Sequence, residues 1–234
     1  MSELHRLGLL GGMTWQSTLT YYRLLNEAVQ ERVGESASAP LTIHSVDFGD
    51  FEPRQRAGDW AGQARILAAA AAALQAGGAE AVALATNTLH LVADDIRAAI
   101  SVPFIDLVDV VGDACSEYDT VGMLATNYTM TSDMYPKRLD QYGTNVIVPD
   151  QADRDFVHHV IYDELQLGVV SAESRARYRE IMAGLVERGA QAIVLACTEI
   201  GMLVDDTDAT VPVLDTTVLH CSVLANFIVP GAIA

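Results

Sequence analysis

Lysine is almost absent from this chain. Lys137 stands alone against thirteen arginines in 234 residues. A pyridoxal-phosphate enzyme needs a Schiff-base lysine and a P-loop needs one beside a glycine-rich turn. Lys137 lies in Tyr-Pro-Lys-Arg, which is neither context. Positive charge is scarce altogether, and the formal net charge is −17. Such a surface repels nucleic acid and anionic membrane, so neither is expected as a partner. Cysteine is scarce too. Cys115, Cys197 and Cys221 form no CxxC pair and no His/Cys ligand spacing, which argues against a disulfide framework and a zinc site. The first residues carry no basic signal-peptide start, and the apolar run after them breaks at Gly11-Gly12. No membrane span and a cytoplasmic location are expected.

Half of the residues are apolar and 19% are charged, which suits a globular protein with a substantial core. Strand-like and helix-like segments alternate throughout. Strands are expected at Arg6–Leu10, Leu41–Asp47, Ala81–Ala85, Val102–Asp106, Thr120–Leu124, Asn145–Val148, Ala192–Ala196 and Val211–Asp215. Helices are expected at Trp15–Val33, 59–77, Leu89–Ile100, Thr129–Tyr142, 152–167, 172–188 and after Asp215. This alternation predicts parallel sheets built from right-handed βαβ units.

The chain also repeats itself. Gly78-Ala-Glu-Ala-Val-Ala-Leu-Ala-Thr86 matches Gly189-Ala-Gln-Ala-Ile-Val-Leu-Ala-Cys197 at five of nine positions, 111 residues apart. A weaker echo relates Gly8-Leu-Leu-Gly-Gly-Met-Thr14 to Gly122-Met-Leu-Ala-Thr-Asn-Tyr128, 114 residues apart. Two similar halves are expected. The first is 1–112, with 212–234 packing back on it, and the second is 113–211. Each copy of the stronger repeat ends in a small polar side chain, a hydroxyl at Thr86 and a thiol at Cys197. In parallel α/β sheets ligands bind beyond the carboxyl ends of strands. Gly11-Gly12, Thr86-Asn87-Thr88, Thr126-Asn127 and Cys197-Thr198-Glu199 all stand at such ends.

The blocks Gly11-Gly-Met-Thr-Trp-Gln-Ser-Thr18, His44-Ser-Val-Asp-Phe48, Thr86-Asn-Thr-Leu-His90 and Ala196-Cys-Thr-Glu-Ile-Gly201, in this order and spacing, resemble the aspartate/glutamate racemase superfamily. The resemblance points to the cofactor-independent amino-acid racemases and covers nearly the whole chain. It implies two pseudo-symmetric three-layer α/β domains with mainly parallel sheets, an active site in the cleft between them, and a homodimer. The implied substrate is a small amino acid or dicarboxylate, aspartate or glutamate first, with no cofactor and no metal. In such enzymes one thiol per domain flanks the substrate Cα, so that one face loses a proton and the other gains one. Here Cys197 fills the second position, while the first family cysteine falls at Thr86.

By the same resemblance Asn87, Thr88 and Thr198 hold the α-carboxylate, with Thr126 or Thr129 nearby. Gln55 reads the side-chain carboxylate, Met13 lines the pocket, and Glu199 contacts the substrate ammonium or sets the charge balance. A basic residue that some members carry before a glycine in the second half is Leu167 here. A threonine hydroxyl is too weak an acid to rest ionised as a base at neutral pH, so Thr86 is expected to donate or relay a proton. Related one-cysteine decarboxylases, isomerases, or a non-catalytic amino-acid-binding relative remain alternatives. Other readings compete at single residues. Thr86 is also a candidate helix cap, and Gln55 a solvated loop residue. His90 reads as a helix residue rather than a base, His158-His159 as surface, Asp109 and Asp113 as an exposed helix face, and Cys115 and Cys221 as structural.

Overall fold

A computed structural model describes residues 4–231. It contains two four-stranded sheets, each parallel throughout, with the orders β2-β1-β3-β4 and β6-β5-β7-β8. The strands are β1 Leu7–Gly11, β2 Leu41–Ser45, β3 Ala81–Leu84 and β4 Phe104–Ile105, then β5 Thr120–Ala125, β6 Asn145–Ile147, β7 Ala192–Ala196 and β8 Val213–Asp215. The helices are α1 Trp15–Val33, α2 Phe48–Arg56, α3 Trp60–Ala76, α4 Ala93–Ala98, α5 Leu107–Cys115, α6 Asn127–Met130, α7 Met134–Asp140, α8 Gln151–Asp163, α9 Ala172–Glu187 and α10 Thr216–Ile228. The second sheet repeats the strand order of the first, as the internal duplication requires.

The chain divides into two compact units. One runs through Leu107 and resumes at His220; the other is Val108–Leu219. This differs from the expected halves in two ways. The boundary falls at Leu107 rather than near 112–119, so all but the first residue of α5 belongs to the second unit. Residues 212–219 also belong to the second unit, because β8 pairs with β7 from Ile193↔Val213 to Leu195↔Asp215. Only the later part of α10 serves the first unit, where Cys221, Leu224, Ala225 and Ile228 enter its core.

In the first unit the central strands are buried on both faces, as parallel strands covered by helices must be. Leu7 and Leu9 share one face with Ala81, Ala83 and Ala85, packed by Tyr21, Leu25 and Val29 of α1 and by α10. Leu10, Val82 and Leu84 face the other way, onto Leu67, Ala71 and Leu74 of α3. In the second unit Val121, Met123 to Ala125 and all of β7 are buried, with Val157, Val160 and Ile161 of α8 and Tyr178, Ile181, Met182 and Leu185 of α9. The two echoing glycines have the same use. A Cβ on Gly8 would lie 2.9 Å from Ala79 Cβ and 3.1 Å from Leu74 Cβ. One on Gly122 would lie 3.0 Å from both Ile193 Cδ1 and Leu185 Cβ. Each lets a helix settle closely against the first strand of its unit.

Three helical segments depart from expectation. Residues 89–100 form a 3-10 turn at Thr88–Val92 followed by α4. Residues 129–142 split into α6 and α7. There the Ser132 hydroxyl donates to Thr129 O (2.8 Å), the carbonyl that the Asp133 N–H would reach if the helix continued, and the Thr131 hydroxyl back-bonds to Asn127 O (2.7 Å). Pro136, which has no N–H to give, sits in the first turn of α7, where that donor has no helical partner. The stretch around Arg54-Gln55-Arg56 is the helix α2 and not a loop. Asp47 caps it by accepting from Gly49 N (2.9 Å), and Pro53 is carried inside it.

One buried group ties this packing to pH. His220 is fully buried. Its Nε2 lies 3.0 Å from Ile105 O, which can only accept, so Nε2 carries the proton and Nδ1 accepts from Tyr21 OH at 2.9 Å. Burial, with His90 nearby, holds its pKa down to about 3. Between the ordinary imidazole value near ~6.5 and about 3, only the unfolded chain takes up this proton. Stability is therefore full above that window and falls as pH drops into it. Between pH 7 and pH 5 this group alone should cost about 2 kcal/mol. Urea denaturation at the two pH values will show this, and His220→Gln should flatten the dependence. An equal dependence in both proteins would assign the effect to other groups.

Candidate active site

Two sets of polar groups stand at the carboxyl ends of adjacent central strands, one set in each unit. In the first unit β1 ends at Gly11 and β3 at Leu84, and the two strands pair from Leu7↔Ala81 to Leu10↔Leu84. The turns that follow them therefore leave the sheet side by side. Gly12 has φ +88°, and a Cβ there would run into the Val46 carbonyl oxygen and amide nitrogen. Its N–H donates to Thr18 Oγ1 at 2.7 Å. Thr14 then caps α1, its hydroxyl accepting from Ser17 N at 3.2 Å. Ser17 Oγ crosses to β3 and donates to Ala85 O at 2.9 Å, joining the two turns.

Met13, Gln55, Thr86, Asn87 and Thr88 are all buried in this unit. Met13 packs with Phe51 of α2 and with Leu10 and Leu89. Gln55, 5% exposed, is not a solvated loop residue; α2 packs against α3, and Gln63 of α3 donates to Phe51 O at 3.0 Å. Thr86 does not cap the turn that follows, since Asn87 holds that position. Its carbonyl accepts from His90 Nδ1 at 2.8 Å.

In the second unit β5 and β7 pair from Val121↔Ala192 to Ala125↔Ala196, so Thr126 and Cys197 follow neighbouring strand ends. Thr126 caps α6, accepting from Thr129 N, and its hydroxyl lies 3.3 Å from that of Thr129. The Cys197 thiol donates to Glu199 Oε2 at 3.1 Å, and the Thr198 hydroxyl donates to the same oxygen at 2.8 Å. Cys197 and Glu199 are both buried, at 8% and 4% exposure. Burial pushes the Cys197 thiol well above its ordinary pKa, and the carboxylates of Glu199 and Asp215 push it further. The resting group is a thiol whose proton already points at a carboxylate oxygen, not a standing thiolate.

The other two cysteines, Cys115 and Cys221, are buried. Burial alone raises the Cys115 thiol to about 12. Asp215 is a partner that the sequence did not single out. It ends β8 beside β7, accepts from Thr217 N at 2.7 Å, and is itself raised by burial. Its one mark in the sequence is that Val211-Pro-Val-Leu-Asp215 echoes Val102-Pro-Phe-Ile-Asp106 of the first half.

The remaining candidates take structural positions. His158 is half-buried rather than on the open surface, and its Nδ1 accepts from Asn127 N at 3.3 Å. Asp113 is exposed, while Asp109 forms an ion pair with Arg138. Leu167 is 71% exposed in a 3-10 turn before Gly168. Among the described residues no group of three His, Cys, Asp or Glu side chains is placed to hold a metal. Among them, too, no helix is long and apolar enough to cross a membrane.

Two substitutions check this geometry. Glu199→Gln removes the nearest negative charge from the thiol, so the pKa of Cys197 should fall and its ultraviolet thiolate absorbance should appear at lower pH than in the native protein. An unchanged titration would disconnect the pair. Gly12→Ala combines a left-handed φ with a clash against backbone and should cost at least about 1–3 kcal/mol in urea denaturation.

The Asp/Glu/Hydantoin racemase family model matches residues 10–224. A candidate Asp/Glu racemase from Yersinia pestis, known as a crystal structure, superposes with a TM-score of 0.89 at 42% identity, covering 96% of this chain and 99% of that one. An aspartate racemase homologue from Pyrococcus horikoshii OT3 superposes with a TM-score of 0.84 at 32% identity, covering 96% and 99%. A glutamate racemase from Roseiflexus sp. (strain RS-1) is 34% identical over 143 residues, which are 59% of this chain and about half, 51%, of that protein. The match spans most of the chain, which belongs to the Asp/Glu/Hydantoin racemase family.

Proposed function

We propose that this protein is a cofactor-independent amino-acid racemase acting on aspartate or glutamate, with Cys197 and Thr86 as its two proton carriers. The observation that carries the proposal is the Cys197 thiol donating to the buried Glu199 carboxylate at the end of β7. Thr86 holds the equivalent place after β3 in the duplicated half. Inverting a carbon centre through a planar carbanion needs proton carriers on both faces. The duplicated fold supplies one candidate from each half.

The Cys197 proton passes to Glu199 Oε2, leaving a thiolate beside a carboxylic acid. The thiolate takes the Cα proton of the L-enantiomer, and the electron pair stays on the substrate as an enolate-like carbanion. Thr86 Oγ1, or a water it holds, gives a proton to the opposite face and recovers one from solvent. Glu199 then gives up its proton and the Cys197 thiol is already restored. Asn87, Thr88 and Thr198, with Thr126 or Thr129, hold the α-carboxylate and stabilise the charge that develops on it. Gln55 reads the side-chain carboxylate, and Met13 lines the pocket. Support for an acidic substrate comes from the Yersinia protein, described as a candidate Asp/Glu racemase, and the Pyrococcus protein, described as an aspartate racemase homologue. A cytoplasmic homodimer is part of the same reading.

Chiral chromatography of D- and L-aspartate and glutamate after incubation with the native protein tests it. Racemisation should be present in the native protein and lower in Cys197→Ser by ~10²–10⁴-fold, the usual contribution of a positioned acid or base. Equal rates in the two proteins would overturn this assignment.

A further inference from the structure

Thr86 is held by more than its place in the chain. The peptide planes on either side of it are both pinned by side chains: Ala85 O accepts from Ser17 Oγ at 2.9 Å, and Thr86 O lies 2.8 Å from His90 Nδ1. A third bond runs from Ala85 N to Leu10 O at 2.8 Å. Two fixed peptide planes set φ and ψ of the residue between them, and hence the direction of its Cα–Cβ bond. The hydroxyl of Thr86 is aimed by that bond.

His90 is the unusual member of this arrangement. Its side chain is fully buried, and both ring nitrogens are committed. Thr86 O can only accept, so Nδ1 carries the ring proton. Leu107 N lies 3.2 Å from Nε2 and can only donate, so Nε2 is the lone-pair nitrogen. Leu107 is the last residue before the chain leaves the first unit. The same exit segment is held two residues earlier, where Ile105 O accepts from His220 Nε2 at 3.0 Å. The His220 ring sits edge-on to that of His90 with centroids 6.4 Å apart. Asp106, between those two anchors, lies 3.8 Å from His90 Nε2 and pairs with Arg97 at 2.8 Å.

We propose that His90 is a positioning residue for the reaction. As the neutral Nδ1–H tautomer it holds the Thr86 peptide and so aims the Thr86 hydroxyl at the carbon to be reprotonated. The inference rests on the racemase reading above. It adds that the hydroxyl carrier is fixed through an imidazole bridge between the catalytic turn and the exit at Leu107. A misaimed Thr86 slows delivery of a proton to the second face but leaves abstraction by Cys197 in place. The two events are separable in heavy water. Deuterium that enters recovered L-substrate reports abstraction and return at Cys197. Conversion to the D-enantiomer also requires Thr86.

The experiment measures both in native protein, His90→Phe and His90→Asn. In His90→Phe the ratio of deuterium wash-in to racemisation should rise roughly tenfold, as expected for loss of one hydrogen bond that acts in the transition state. His90→Asn keeps a donor near the Nδ1 position, and its ratio should stay close to native. Both rates falling in parallel, or His90→Asn matching His90→Phe, would overturn the proposal, because a purely structural histidine gives those results. The ring-nitrogen NMR shifts of native protein supply a check that needs no variant. They should show the Nδ1–H tautomer at neutral pH, and an Nε2–H tautomer or an imidazolium would overturn the proposal. Cys197→Ser separates the two layers. If it racemises at the native rate, the racemase assignment at Cys197 fails. If it is inactive while the His90 variants keep the native ratio, only the positioning role fails.

Discussion

Parallel pairing of β1 with β3, and of β5 with β7, is the constraint on which the site depends. Strands in these pairs are buried on both faces, so no side chain within them can meet a ligand. Chemistry has to begin where the strands stop. Because paired parallel strands end at the same edge, the turns after β1 and β3 must emerge together, as must those after β5 and β7. Thr86, two residues past β3, and Cys197, the residue after β7, lie just beyond that limit.

The central strands were legible because burial on both faces writes an unbroken apolar run, and the duplication wrote it twice. The edge strand β8 was legible as a strand, but its assignment to the first half failed. Its echo of Val102–Asp106 already carried the better reading: a fourth strand of the first half should correspond to a fourth strand of the second. Broken helices were illegible for a different reason. Thr131, Ser132 and His90 each bond a nearby main-chain atom, and such local competition leaves no trace in the spacing of apolar residues. Helix α2 was hidden by Pro53 and by the polar run Arg54-Gln55-Arg56. Gln55 is buried by the packing of α2 on α3, a tertiary fact with no local signature. The family was carried by short sequence blocks. The direction of the Cys197 proton was not, since residues 197 and 199 can face each other or apart.

That direction changes how the thiol is understood. Reactive cysteines often rest as thiolates beside cationic groups or helix N-termini. Cys197 sits in the opposite field, with two carboxylates and deep burial all favouring the neutral form. What separates it from Cys115, which burial alone makes a very weak acid, is a carboxylate acceptor at 3.1 Å. A thiol and a carboxylate sharing a proton can ionise on demand, when a bound cation offsets the charge left behind. The ammonium group of an amino-acid substrate is such a cation. In the proposed reaction, the acidic surroundings of the thiol would keep it protonated until substrate is present.

The proposed pairing of a thiol with a hydroxyl has a further thermodynamic consequence. The two enantiomers of an amino acid have equal free energy in water, so the equilibrium constant of racemisation is one. It follows that kcat/KM must be the same in both directions, however unlike the two carriers are. Asymmetry between Cys197 and Thr86 can appear only in how each direction divides that ratio between kcat and KM. A hydroxyl is the weaker acid in solution, and its ionised form is the costlier one to generate. In the proposed reaction, the direction that begins with abstraction on the Thr86 side has no standing base to rely on. A clamp of two pinned peptide planes is the kind of device that meets this need. It removes the orientational freedom of a weak proton carrier, and orientation is the one contribution to its efficiency that the fold can supply without changing its pKa.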